Sequence, residues 1–169
     1  PSKGYFSPYG NPQLKDGPEG EYLTDRLTDE VIRYISEPKE KPFFVYLSYY
    51  TVHLPLQAKA EKIAKYRRKL SRAVPADSSF VKKGETYHKL VQDIPAYAAM
   101  VESLDENIGR LLDTLHRSGL DERTIVVFTS DNGGMATSNT TRNIPTSNLP
   151  LRAGKGYLYE GGIKVPAII

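Results

Sequence analysis

Apolar positions recur at helical spacing twice in this chain. In "TDRLTDEVIRYIS", Leu27, Val31 and Ile35 fall on one face, Thr24 stands where an N-cap belongs, and Pro38 forbids continuation. This predicts a short amphipathic helix. From Pro95 onward, Met100, Val101, Leu104, Ile108, Leu111, Leu112 and Leu115 trace a second and stronger stripe that Gly119 can terminate. Two continuous apolar runs, "PFFVYLSYY" after Pro42 and "TIVVFTS" ending at Ser130, have the length and β-branched or aromatic content of strands buried on both faces. Between them Ala58 to Leu70 is rich in helix formers, followed by a loop-like stretch containing Pro75 and Gly84. Pro1 to Glu21, with four prolines and four glycines, reads as irregular structure, and "KVPAII" at the end reads as the start of a strand. No internal repeat interrupts this order.

Strands of this kind alternating with helices predict an α/β fold, with a mostly parallel sheet flanked by helices. Ligands of such sheets bind beyond the carboxyl ends of the strands. Both expected strand ends carry polar candidates: "TVHLP" with His53 after the first, and "SDNGG" with Asp131 and Asn132 after the second.

Composition narrows the classes. The chain has 169 residues, 39% hydrophobic and 25% charged, which is one globular domain. A formal net charge of +3 is too small to argue for nucleic-acid or membrane partners, and no apolar run approaches the roughly eighteen residues of a membrane helix. Charge is concentrated from Lys59 to Arg72, where seven basic residues face the single acid Glu61. That segment reads as a solvated helix or as a patch for a sulfated polymer. With no cysteine there is no disulfide, thiolate metal site or cysteine nucleophile.

Asp131 and Asn132 offer a carboxylate and an amide carbonyl, hard oxygen donors suited to calcium or magnesium. Alone, "SDNGG" is also ordinary turn chemistry, and His53 alone is an ordinary loop histidine. In "LRAGKGYLYEGGIKVP", Lys155 sits between two glycines, which let backbone approach a ligand closely and leave the lysine as a point charge for an oxyanion. The spacing is not that of a Walker loop. Glu102, Asp105 and Glu106 read as the solvated face of the strong helix or as caps of a neighbouring loop, and the twelve tyrosines as packing, with Tyr157 and Tyr159 placed to line a pocket beside Lys155.

The blocks "YLTDRLTDEVIRYI", "PFFVYLSYYTVHLPL", "YAAMVESLDENIGRLLDTL", "TIVVFTSDNGG" and "GKGYLYEGGIKVP", in that order, closely resemble the second half of the catalytic domain of type I sulfatases, the arylsulfatase family within the alkaline phosphatase-like superfamily. The resemblance runs from about Tyr22 to Ile169. It implies calcium-dependent hydrolysis of an aryl or carbohydrate sulfate ester, with Asp131 and Asn132 as metal ligands for Ca2+, or Mg2+ in its place. It also implies that His53 and Lys155 contact the sulfate group and serve catalysis. The family's nucleophile, a formylglycine made from a "C/S-x-P-x-R" block, is missing, since none of Ser71, Ser78 and Ser79 is followed by proline and arginine at that spacing. The early aspartates of the calcium shell are missing too.

The expectation is therefore a partial catalytic domain, inactive by itself, whose nucleophile segment and C-terminal subdomain lie outside residues 1 to 169. Its sheet edges would be open to self-association. Two other readings stay open: a phosphoesterase or phosphonate monoester hydrolase of the same superfamily, and a noncatalytic binder of sulfated polymers. Family habit implies a secreted, periplasmic or lysosomal location.

Overall fold

The structure, a computed structural model, describes residues 4–38, 40–72 and 79–169. The expected loop residue Pro75 and the candidate Ser78 lie outside the described residues. The chain forms two compact units, Pro1–Tyr66 with Ala96–Thr124, and Arg67–Pro95 with Ile125–Ile169.

The first unit is built on helices α1 (Leu23–Ser36), the greater part of α2 (Ala60–Leu70) and α3 (Pro95–Arg117). Thr24 is not the N-cap of α1. Tyr22 occupies that position in extended conformation, and Thr24 is buried inside the first turn, its hydroxyl 2.6 Å from that of Thr51. Helix α3 starts and ends where its apolar stripe predicts, and Gly119 follows it at φ +62. The face it buries, however, carries Ala99, Met100, Ser103, Asn107, Thr114 and Leu115, while Val101 and Leu112 are exposed.

Within the proline- and glycine-rich N-terminal stretch, residues 4–21 are irregular, as expected, yet they supply part of the core. Tyr5 and Tyr9 are buried with Tyr22, Leu23, Ala58, Ala99 and Met100. Tyr5 stacks on Tyr22 at 5.9 Å, and their hydroxyls reach the backbone of residues 50–57: Tyr22 donates to the Gln57 carbonyl at 2.9 Å, and the Tyr5 hydroxyl lies 2.7 and 2.8 Å from the Tyr50 and His53 carbonyls. A buried tyrosine needs a partner for its hydroxyl, and these carbonyls need donors.

The basic segment is not a simple solvated face. Lys62 is buried and pairs with Glu102 and Glu106, Lys65 donates to Glu102 at 2.9 Å, and Lys59 meets Asp25 at 2.6 Å. Glu102 and Glu106 are thus structural partners of α2 and not merely the solvated side of α3.

Among the described residues the expected mostly parallel sheet is not found. The protein is mainly helical with small antiparallel sheets. Residues 43–50 join no ladder among the described residues; their positions alternate between half-buried and exposed, with Phe44 88% and Tyr46 83% exposed. Side chains hold the segment instead: Phe43 meets Tyr34 edge-on at 6.0 Å, and the Tyr49 hydroxyl lies 2.7 Å from that of Thr28. In the second apolar run only Phe128–Thr129 (β3) pairs, antiparallel to Ala167–Ile168 (β5), and Ile125 is 83% exposed. A parallel ladder needs a parallel neighbour for each run, and among the described residues the first run has no paired strand and the second only an antiparallel one.

The second unit holds a hairpin where a loop was expected. Strands β1 (Phe80–Lys83) and β2 (Thr86–Lys89) pair antiparallel around Gly84, at φ +59, a backbone state that glycine enters without steric cost. Strand β4 (Thr137–Ser138) adds to β2, and a short helix α4 (Glu160–Ile163) precedes β5. Lys89 is buried, ion-paired with Asp93 and 4.4 Å from the centre of the Phe80 ring. Among the described residues no helix is long and apolar enough to cross a membrane.

Two outcomes are expected. Lys65, foremost, then Tyr66 and Lys62, hold the Glu102 carboxyl at about 2 against the opposing effect of burial, below its ordinary 4.5. The stability this gives is complete above pH 4.5 and is lost as pH falls toward 2. Glu102→Gln should therefore cost roughly 1 kcal/mol at neutral pH, and denaturant melts should show that gap closing over the acidic window; a constant gap would contradict the pairing. Lys89→Ala strands the Asp93 carboxylate and should cost about 3 kcal/mol, with Lys89→Ala/Asp93→Ala recovering part of it in the same melts.

Candidate active site loops

The glycines of "SDNGG", "GKG" and "EGG" make the second unit's loops possible. A Cβ on Gly133 would stand 1.8 Å from the Gly161 carbonyl oxygen, and one on Gly154 would stand 2.4 Å from that of Gly134. Real side chains never approach backbone this closely, so these positions are glycine because three loops cross backbone to backbone. Hydrogen bonds lock the crossing. The Gly133 N–H donates to the Gly162 carbonyl at 3.0 Å, the Lys155 N–H to the Gly134 carbonyl at 3.0 Å, and the Gly161 N–H to the Arg152 carbonyl at 2.8 Å.

Asn148 sits at the centre of this arrangement. Its Nδ2 lies 2.7 Å from the Gly134 carbonyl oxygen, 2.9 Å from that of Gly161 and 3.1 Å from that of Ala153. One side-chain amide therefore ties the three loops together. Ala153 accepts one of these contacts while held at φ +61, a left-handed conformation that costs a non-glycine residue roughly 1 kcal/mol. Sequence reasoning passes over Asn148, because an asparagine in "TSNLP" looks like any turn residue; only its three acceptors, 5 to 14 residues away, mark it.

With the backbones fixed, the side chains are left for ligands. Asp131 is exposed, with one weak contact from the Ser130 hydroxyl at 3.5 Å. Asn132 donates its amide nitrogen to the Gly133 carbonyl at 3.0 Å, which turns its amide oxygen the other way. Lys155 is half-buried, and among the described residues its ammonium has no carboxylate partner. The structure thus joins the Asp131–Asn132 loop to the Lys155 loop through the Gly134 carbonyl.

His53 belongs to the first unit and is described by itself. Its backbone is held at both ends, the N–H donating to Tyr50 at 2.8 Å and the carbonyl facing the Tyr5 hydroxyl. Its Nδ1 lies 3.0 Å from the Leu54 carbonyl, which can only accept, so Nδ1 carries the proton and Nε2 is left to an exposed face.

Asp131 and Asn132 fit a hard cation in kind but not in number. Calcium takes about six to eight oxygens, and among the described residues no group of three histidine, aspartate or glutamate side chains could hold a metal. Two donors on one loop make part of a shell.

Comparison with known proteins gives these loops a context. The sulfatase family model matches residues 2–169. A protein named Sulfatase from Formosa agariphila is 36% identical over an alignment of 171 residues, covering 94% of this chain and 26% of its own length. Mouse Arylsulfatase J is 32% identical, with 91% of this chain and 22% of its own length covered. Among solved structures, Ps i-CgsB in complex with k-i-k-neocarrahexaose is similar at a TM-score of 0.67 and 33% identity, over 90% of this chain and 29% of that one. The putative sulfatase yidJ from Bacteroides fragilis, 24% identical with a TM-score of 0.61, shares the fold. The chain spans 22% to 26% of the length of the two relatives named. A family model that matches residues 2–169, with relatives of this identity across nine-tenths of the sequence, shows that the chain belongs to the sulfatase family.

Proposed function

We propose that this chain supplies the anion-clamping part of a sulfatase active site, one that hydrolyses the sulfate ester of a carbohydrate or aryl alcohol in the full-length protein. The observation that carries the reading is the Gly134 carbonyl, which accepts from both the Lys155 N–H and Asn148 and so ties a carboxylate-amide loop to a lysine loop. Ps i-CgsB, solved with a neocarrahexaose, supports a saccharide as the alcohol part of the ester.

In this reading Asp131 and Asn132 would hold part of the shell of a calcium ion, and the chemistry that ion would supply is Lewis-acid stabilisation of the sulfate group. Lys155 adds a second positive charge to the same group. Because its backbone is fixed before substrate arrives, its charge needs little reorganisation as negative charge builds up in the transition state. His53, with Nδ1–H held by the Leu54 carbonyl, presents Nε2; only as the imidazolium, with Nε2 protonated as well, can it donate to a sulfate oxygen or give that Nε2 proton to the departing alcohol oxygen. The nucleophile comes from outside these 169 residues, which contain no "C/S-x-P-x-R" block. The exposed faces of residues 43–50 and 125–128 support the related proposal that further polypeptide of the same protein covers them.

The test is hydrolysis of an aryl sulfate and an aryl phosphate by the full-length protein. Preference for the sulfate is expected, with Lys155→Ala lowering kcat by about a hundredfold or more. Asp131→Ala should abolish the calcium dependence. Asn148→Ala should raise the calcium concentration needed for half-maximal rate, a change that mere loss of folded protein does not produce. Equal or better turnover of the phosphate, or full sulfate turnover by Lys155→Ala, would overturn the reading.

A further inference from the structure

Beside the Lys155 loop the second unit contains a cleft of about 620 Å³, between the β1–β2 hairpin and the segment from Leu149 to Tyr159. Lys83, Thr86 and His88 line one side, and Arg152, Tyr157 and Tyr159 the other. None of the residues lining it is acidic. Among the described residues neither Lys83 nor Arg152 has a carboxylate partner, in contrast to Lys59, Lys62, Lys65 and Lys89.

The walls are organised. The Arg152 guanidinium lies over the Tyr159 ring, 3.6 Å from its centre, a cation–π contact that holds a group able to make forked bonds to an oxyanion. His88 is held between two hydroxyls, Nδ1 3.2 Å from Thr137 Oγ1 and Nε2 3.1 Å from Thr86 Oγ1. Burial first, then the positive charges of Lys83 and Arg152, lower its pKa from the ordinary 6.5, so at neutral pH it contributes hydrogen bonding and not charge. The cleft therefore presents two cations, one neutral imidazole and two tyrosine rings.

The cleft adjoins the clamp without containing it. Arg152 is three residues before Lys155 and Tyr157 two after it, while Lys155 itself is not among the residues lining the cleft. A separate cationic cleft beside the clamp suits the next sugar along a chain. The apolar remainder of the cleft wall suits the C–H face of a pyranose.

We propose that this cleft is a subsite for a second anionic group, carried by the sugar next to the one whose sulfate is removed. The proposal rests on the sulfatase reading for the identity of the neighbouring site, but the cleft's charge and lining stand independently of it. The anion is a sulfate or a carboxylate, which Lys83 and Arg152 would bind through the same ionic hydrogen bonds.

Calorimetric titration of the full-length protein tests this with three disaccharides that share one sulfated residue and differ in its neighbour: sulfated, uronic acid, or neutral. Lys83→Ala, at an exposed strand end where folding should not depend on it, is expected to weaken the sulfated-neighbour ligand, the uronate-neighbour ligand or both by about tenfold, with the neutral-neighbour ligand unchanged. Which of the two responds identifies the anion. Lys83→Arg should retain the affinity. For ligands that turn over, the same variant should raise KM and leave kcat alone. Equal effects on all three ligands, or none, would overturn the subsite. If aryl sulfate is hydrolysed but Lys83→Ala changes nothing, the subsite fails and the sulfatase reading stands. If no ester is cleaved yet binding of the doubly anionic ligands depends on Lys83, the subsite stands and that reading fails.

Discussion

The second unit depends on one constraint: three loops cross with their backbones in contact, and only glycine permits it. Gly133, Gly154 and Gly161 each face a carbonyl oxygen at a distance no Cβ could tolerate. Carbonyls brought this close are desolvated and must find donors. Asn148 supplies them, distributing one amide over Gly134, Ala153 and Gly161, while the Lys155 N–H adds a second donor to Gly134. Backbone contact therefore creates the need for Asn148, and Asn148 fixes the register of the loops that present Asp131, Asn132 and Lys155.

The first unit solves a different problem by similar means. Its buried cluster is dominated by tyrosines and small residues, and polar groups occupy positions that would usually be aliphatic. Asn107 on α3 donates to Asp25 on α1 at 2.8 Å, and Asp25 meets Lys59 at 2.6 Å. Buried polar groups hold a structure well only when every partner is in place. The tyrosine hydroxyls complete the scheme by reaching the carbonyls of residues 50–57, the stretch that carries His53. A tyrosine core thus positions a loop where a leucine core would merely exclude water.

Periodicity revealed α3 and the existence of α1, because burial leaves a 3.6-residue signature whatever the partner is. It could not reveal strand pairing. Phe43 to Tyr50 and Ile125 to Phe128 are apolar enough for buried strands, but ladder formation depends on neighbours that periodicity does not see, and among the described residues the first run pairs with none. The β1–β2 hairpin was hidden by the opposite effect: "FVKKGETYHK" is too polar to stand out, and Gly84 suggested a loop where it makes a turn. The order of short blocks carried family membership and pointed to Asp131, Asn132 and Lys155. It did not show Asn148, whose importance lies in contacts and not in its neighbours along the chain.

The lysines show how structural and chemical roles separate in this chain. Lys62 of the first unit and Lys89 of the second are buried and paired with carboxylates, Lys59 and Lys65 are paired at the surface of the first unit, and each is accounted for by the fold. Lys155 and Lys83 differ. Among the described residues neither has an acidic partner, and each lies in a segment whose backbone is held by other groups, Lys155 by Gly134 and Lys83 by the hairpin. A cation whose backbone is fixed and whose charge is uncompensated is ready for an external anion, since binding costs it neither loop ordering nor the rupture of an existing ion pair. Seven basic residues between Lys59 and Arg72 attract attention in the sequence, but the first three are used by the fold; the cations with ligand-binding character are the isolated ones, set beside glycine or at a strand end.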